Sequence, residues 1–269
     1  MDLPPRNTED EIAKTLDKLE EAFKLLGAKA GNDAHLLKLV GNYRKTSVSK
    51  GQFRVDLKGL DGFPLDFIGM FHDSLDSDNN AIHRIQKEVA LMVAVKYNVM
   101  WSESFAGGER ITFTNSWKVI QEEMLESDHP GIRETASEKE VKQYEQACIP
   151  LHAAYMLLSD TNYTGEIWAA DYRPVKAIQQ HIMSYGIPNP LFDKRFLFTQ
   201  SEMNLLMRAL SDARNLYCLR YIALRGDRTK KNVLVLGAFH THHVGRVMVN
   251  YGATGTLYTP MEQNVPKRR

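Results

Sequence analysis

Charge of one sign is missing from this chain: 34 basic side chains face 33 acidic ones, a formal net charge of +1 over 269 residues. No electrostatic footprint therefore points to a nucleic-acid partner or to an anionic membrane. The one local excess, Lys267-Arg268-Arg269, reads as a solvated tail. Cysteine is nearly absent. Cys148 and Cys218 sit in helical-looking segments without CxxC spacing, which excludes a disulfide framework and suits a reducing compartment. No run approaches the ~20 apolar residues that span a bilayer, and no N-terminal apolar segment resembles a signal peptide. The expectation is a soluble cytoplasmic protein without a membrane partner. A GxSxG elbow, a P-loop and a dinucleotide fingerprint are lacking too, which disfavours serine hydrolases, NTPases and NAD enzymes. What is present is an ordinary globular composition, 43% hydrophobic and 25% charged, long enough to bury a core without disulfides or metals as staples.

The stretch that organises the chain is Lys231 to Arg246, KNVLVLGAFHTHHVGR. A continuous apolar run, Val233 to Leu236, ends in Gly237 and leads into His240, His242 and His243. Such a run predicts a buried strand with a polar cluster at its carboxyl end, where open α/β sheets keep their sites. Leu65 to His72, LDFIGMFH, repeats the grammar: Gly69-x-x-His72 matches Gly237-x-x-His240.

The remaining chain reads in order. Thr8 with Glu11 forms a capping-box pattern opening a helix that Gly27 can close. Its seam of Ile12, Leu16, Leu19, Phe23 and Leu26 either packs on the body of the domain or pairs with a second copy. With a second helix over 33–43, residues 1–50 read as an N-terminal helical appendage to a domain over 51–269. From Gly51 the alternation of Phe53, Val55 and Leu57 predicts a strand, joined through the turn Lys58 to Pro64 into a hairpin with the strand Leu65 to Phe71. A helix carrying Ile82, Ile85, Val89, Met92 and Val93 follows, then a strand at Val99-Met100-Trp101 with Glu103 at its end. Strand, helix, strand predicts parallel neighbours that bring His72 and Glu103 to one sheet edge. Helices are expected over 116–127, 137–158, 174–185 and 202–224, a strand over 166–170 ending at Asp171, and an edge strand at 256–258. His129 and His152 read as surface or packed histidines.

These residues resemble the TIKI/TraB superfamily, which includes ChaN-like haem-binding lipoproteins and the erythromycin esterase group. The shared features are the two GxxH motifs, a Glu ending the strand after the first (Glu103), and an Arg on the helix before the second (Arg214). The resemblance covers about residues 65–105 and 200–245 and leaves Asp171 unmatched. Phe71 stands where many relatives have a small residue before the His. It implies an α/β fold with a central, mainly parallel sheet flanked by helices, and a hydrolase of peptide or ester-type bonds; some branches bind haem instead. Independently, two imidazoles and a carboxylate suit a divalent metal such as Mn²⁺, Co²⁺ or Zn²⁺ with a position open for water.

The expected site therefore has His72, Glu103 and His240 as ligands and Arg214 on the developing oxyanion. His243, on the face of His240, is the better-placed proton carrier, with His242 pointing elsewhere. On a helix facing the sheet, Arg214→Ala is expected to leave folding intact. The substrate class is a small molecule or peptide. The alternative is a non-enzymatic protein that keeps the fold, holding haem at the His cluster or assembling into a homo-oligomer through the N-terminal seam.

Overall fold

The computed structural model describes residues 10–70, 79–126, 137, 139, 152–186 and 198–258. Six strands form one sheet: β1 (Leu65–Met70), β2 (Val99–Ala106), β3 (Arg110–Ile111), β4 (Glu166–Asp171), β5 (Asn232–Gly237) and β6 (Leu257–Tyr258), in the spatial order β3-β4-β2-β5-β1-β6. Every pairing is parallel except that of β3 with β4. The chain is thus α/β with a mainly parallel sheet.

Centrality follows from sequence. β5 is buried along its whole length, as a strand covered on both faces must be, and it takes a middle position. This corrects one expectation: β1 and β2 are parallel but not neighbours, because β5 lies between them, with Asn232 in register with both Leu65 and Val99. Side chains alternate between two cores. Leu65, Phe67, Trp101 and Leu234 face one, while Ile68, Met100, Val233 and Val235 face the other.

The first core is covered by α1 (Glu11–Lys29), α2 (Ala34–Thr46), α3 (Lys50–Leu57), α7 (Arg173–Gly186), α8 (Gln200–Arg225) and α9 (Thr241–Asn250). The second is covered by α4 (Asn79–Lys96), α5 (Phe113–Glu126) and α6 (Ala153–Ser159). α8 opens on a capping box in which Thr199 and Glu202 each satisfy the other's backbone N–H. Among the described residues no helix is long and apolar enough to cross a membrane.

The N-terminal helices share the main core. Ile12, Leu16, Leu19, Phe23 and Leu26 are buried in it together with Leu206, Leu210 and Val244, so the seam of α1 is covered within the chain. Asp10, rather than Thr8, caps α1 by accepting from the Ala13 N–H at 3.1 Å, and the helix runs past Gly27 to Lys29. Thr8 lies outside the described residues.

The first arm of the expected hairpin is replaced by the helix α3 and a 3₁₀ turn, Lys58–Leu60, while the strand expected from Leu65 is present as β1. Phe53, Asp56 and Leu57 are buried while Val55 is 60% exposed. The face that wins is therefore i, i+3, i+4 and not the alternating one. Ser49 caps α3 by accepting from the Gln52 N–H, and buried Asp56 accepts from Arg220 Nε at 2.6 Å.

Candidate functional site

β1 and β5 lie side by side with Met70 opposite Gly237, so both GxxH motifs leave the sheet from adjacent strands at its carboxyl edge. Gly69 allows close approach. A Cβ on Gly69 would stand 2.6 Å from Thr241 Oγ1 and 3.3 Å from the Cα of Ala238. Beyond Gly237 the chain turns through a 3₁₀ segment, Ala238–His240, directly into α9. The turn sends Phe239 outward, 97% exposed, and His240 inward, 8% exposed. His72 lies outside the described residues, so the expected meeting of the two motif histidines rests on the adjacency of the strands that carry them.

Glu103 is placed by an irregularity in β2. Ser102 pairs with Ala169 and Ala106 with Asp171, so four steps on β2 match two on β4. Such a bulge re-aims side chains at a strand's end. It turns the Glu103 carboxylate across to β5, where Oε1 accepts the Gly237 N–H at 2.6 Å and Oε2 stands 3.4 Å from His240 Nε2. The carboxylate thus closes the sheet edge beyond the last paired residues and holds the imidazole at once. Lys176 on α7 donates to the Glu103 carbonyl at 3.3 Å.

Arg214 comes from α8, one turn before Cys218, and both line a small cavity shared with Glu103, Asp171, Asn215 and His240. Its guanidinium grips Asp171 along one edge, Nε to Oδ1 at 2.8 Å and Nη2 to Oδ2, while Nη1 donates to Gln179 Oε1 at 2.7 Å. Nη2 also lies 3.8 Å from Glu103 Oε2. The edge expected to hold an oxyanion is therefore occupied by Asp171. Arg214 is a cation shared between a buried carboxylate, Asp171, and a part-buried one, Glu103. Asp171, at the end of β4, was visible in the sequence only as a strand-end acid; its link to Arg214 is made by tertiary packing.

The remaining polar residues divide. His243 faces the helical layer, with Nε2 2.8 Å from Thr15 Oγ1 and Nδ1 3.4 Å from Asn215 Nδ2. Burial, with a smaller contribution from Arg246, pushes its pKa down to about 3, so the ring is neutral at ordinary pH. It touches the cavity through Asn215 rather than directly and is poorly suited to carry a proton. His242 is exposed, as expected from its position on α9. The Cys218 thiol is pushed well up, first by burial and then by Asp171 and Glu103, which keeps it protonated and argues against a thiolate nucleophile.

Glu103 and His240 are donors that a divalent transition metal accepts. Among the described residues no group of three such side chains forms, and the third expected donor is His72. The pair fits such a metal as two members of a set that His72 would complete. Among the described residues the cavity has room for about one water molecule. No protein-family model, curated protein or solved structure matches the chain.

Proposed function

We propose that the chain is a hydrolase of peptide or ester-type bonds, working at the carboxyl edge of the sheet through the Glu103 and His240 pair. The observation that carries this reading is the 3.4 Å approach of His240 Nε2 to Glu103 Oε2 on the wall of a cavity that admits a water. The pair takes a proton from that water as its oxygen attacks the carbonyl carbon. It returns the proton to the leaving amine or alcohol as the carbon–heteroatom bond breaks, giving a carboxylic acid and the free amine or alcohol. Glu103 is anchored by the Gly237 N–H and orients the imidazole. Arg214, held by Asp171 and Gln179, compensates the charge of Glu103 at 3.8 Å. A divalent metal held by Glu103, His240 and His72 would supply an acidified water and polarise the carbonyl. The protein is proposed to act in the cytoplasm on a small molecule or peptide.

The test is hydrolysis of a peptide and ester library by wild type, His240→Ala and His72→Ala, each with and without Mn²⁺, Co²⁺ or Zn²⁺. Loss of turnover in both variants is expected. Equal activity in all three proteins, or none with any metal, would move the reading to a non-enzymatic protein that retains the fold.

A further inference from the structure

Hydrolysis of an amide and of an ester differ in one group that a site can read, the N–H of the amide, and Asn215 is placed to read it. Asn215 follows Arg214 on α8, is 2% exposed, and lines the same cavity as Glu103 and His240. Its Nδ2 lies 3.4 Å from His243 Nδ1, and His243 Nε2 lies 2.8 Å from Thr15 Oγ1. The buried ring is neutral and carries one N–H. The Asn215 Nδ2 can only donate, so Nδ1 is the accepting lone pair and the ring N–H sits on Nε2, facing the Thr15 hydroxyl. With Nδ2 bound towards α9, Oδ1 is the polar atom left for Asn215 to offer the cavity it lines.

We infer that Thr15 and His243 orient Asn215 so that its Oδ1 accepts a hydrogen bond from the substrate, which makes the site selective for amides bearing an N–H over the matching esters. Asn215 touches the substrate; His243 is a positioning residue. The physical basis is the cost of a buried acceptor left unmade. A substrate N–H brought to the cavity wall satisfies Oδ1, whereas an ester offers no donor and leaves Oδ1 unsatisfied. The activity part of this inference rests on the hydrolase reading above; the orientation of Asn215 does not.

The experiment has three arms, all on the full chain. Long-range ¹H–¹⁵N correlation of the histidine rings in wild type is expected to show His243 protonated at Nε2 and bare at Nδ1; a proton on Nδ1 overturns the inference. Titration with N-methylacetamide is expected to shift the Asn215 side-chain amide resonance while methyl acetate does not, and equal response or none to both overturns it. In the third arm, kcat/KM is measured for a matched amide and ester pair. Asn215→Leu is expected to lower the amide value about tenfold more than the ester value. His243→Gln, which keeps a donor and an acceptor, should retain the preference that His243→Leu loses. Equal losses on both substrates overturn selectivity. Absence of turnover by wild type on both substrates overturns the hydrolase reading instead, and the first two arms, which need no turnover, then decide the orientation of Asn215.

Discussion

Arg214 and Asp171 form a two-point ion pair beneath the candidate site, with side chains 13% and 2% exposed. The guanidinium Nε donates to Oδ1 at 2.8 Å and Nη2 bonds Oδ2. One residue comes from the middle of a long helix and the other from the last position of a strand. Their pairing brings a fixed positive charge to within 3.8 Å of Glu103.

Removing Arg214 is therefore expected to destabilise the fold, contrary to what its position in the sequence suggests. Arg214→Ala leaves Asp171 buried and uncompensated, a loss of about 3–5 kcal/mol. Chemical denaturation of Arg214→Ala, Asp171→Asn and the double variant should show the double variant losing less than the sum of the two singles. Additive losses would mean that the pair is not coupled.

Glu103→Gln tests the pair at the site with little change of shape. The amide oxygen can still accept the Gly237 N–H, so unfolding midpoints should stay close to those of wild type. Turnover should fall about 10²- to 10⁴-fold, the range lost with a positioned acid or base. Retained turnover with an intact fold would remove Glu103 from the mechanism.

Stability should fall on acidification through the His243 ring. Its pKa is about 3 in the folded protein against 6.5 for the free side chain. Between those values the unfolded chain holds the extra proton, so stability rises with pH across the window and is fully present above about 6.5. The slope from this one group is up to ~1.4 kcal/mol per pH unit. Denaturation of wild type and His243→Gln at pH 7.0, 5.5 and 4.5, settings chosen to span about that window, should show a shallower fall in the variant. Parallel curves would assign the acid sensitivity to other groups.

Gly69 is expected to tolerate no side chain. Gly69→Ala places a Cβ 2.6 Å from Thr241 Oγ1 and 3.3 Å from the Ala238 Cα, at the turn that delivers His240. A cost of about 1–3 kcal/mol should follow, together with reduced turnover. Adding Thr241→Ala should recover part of the stability, because the hydroxyl is the nearer obstacle. No recovery would place the strain at Ala238 alone.

Local pattern was sufficient for much of the fold. The apolar run into Gly237 specified β5 because a strand buried on both faces has no room for polar residues. The apolar spacing of α1 and α8 specified helices for the equally local reason that residues three and four apart share a face. Pattern failed at residues 50–57, where alternation and helical spacing coexist. Ser49 as a cap and the burial of Asp56 against Arg220 settled that choice, and Arg220 lies far along the chain.

The candidate site divides along the same line. GxxH at two strand ends, a Glu at a third and an Arg on the preceding helix were legible because each is a residue type at a strand or helix position. Which strands are neighbours was not legible, since a crossover connection can pass over a strand, and β5 takes the place between β1 and β2. Nor was the bulge that turns Glu103 towards His240, because it exists only in the mismatch between β2 and β4. The partners of Arg214 and His243 belong to tertiary structure for the same reason. A buried charge takes the nearest counter-charge and a buried ring the nearest hydroxyl or amide, and nearness between α1, β4, α8 and α9 is decided by packing, not by position in the chain.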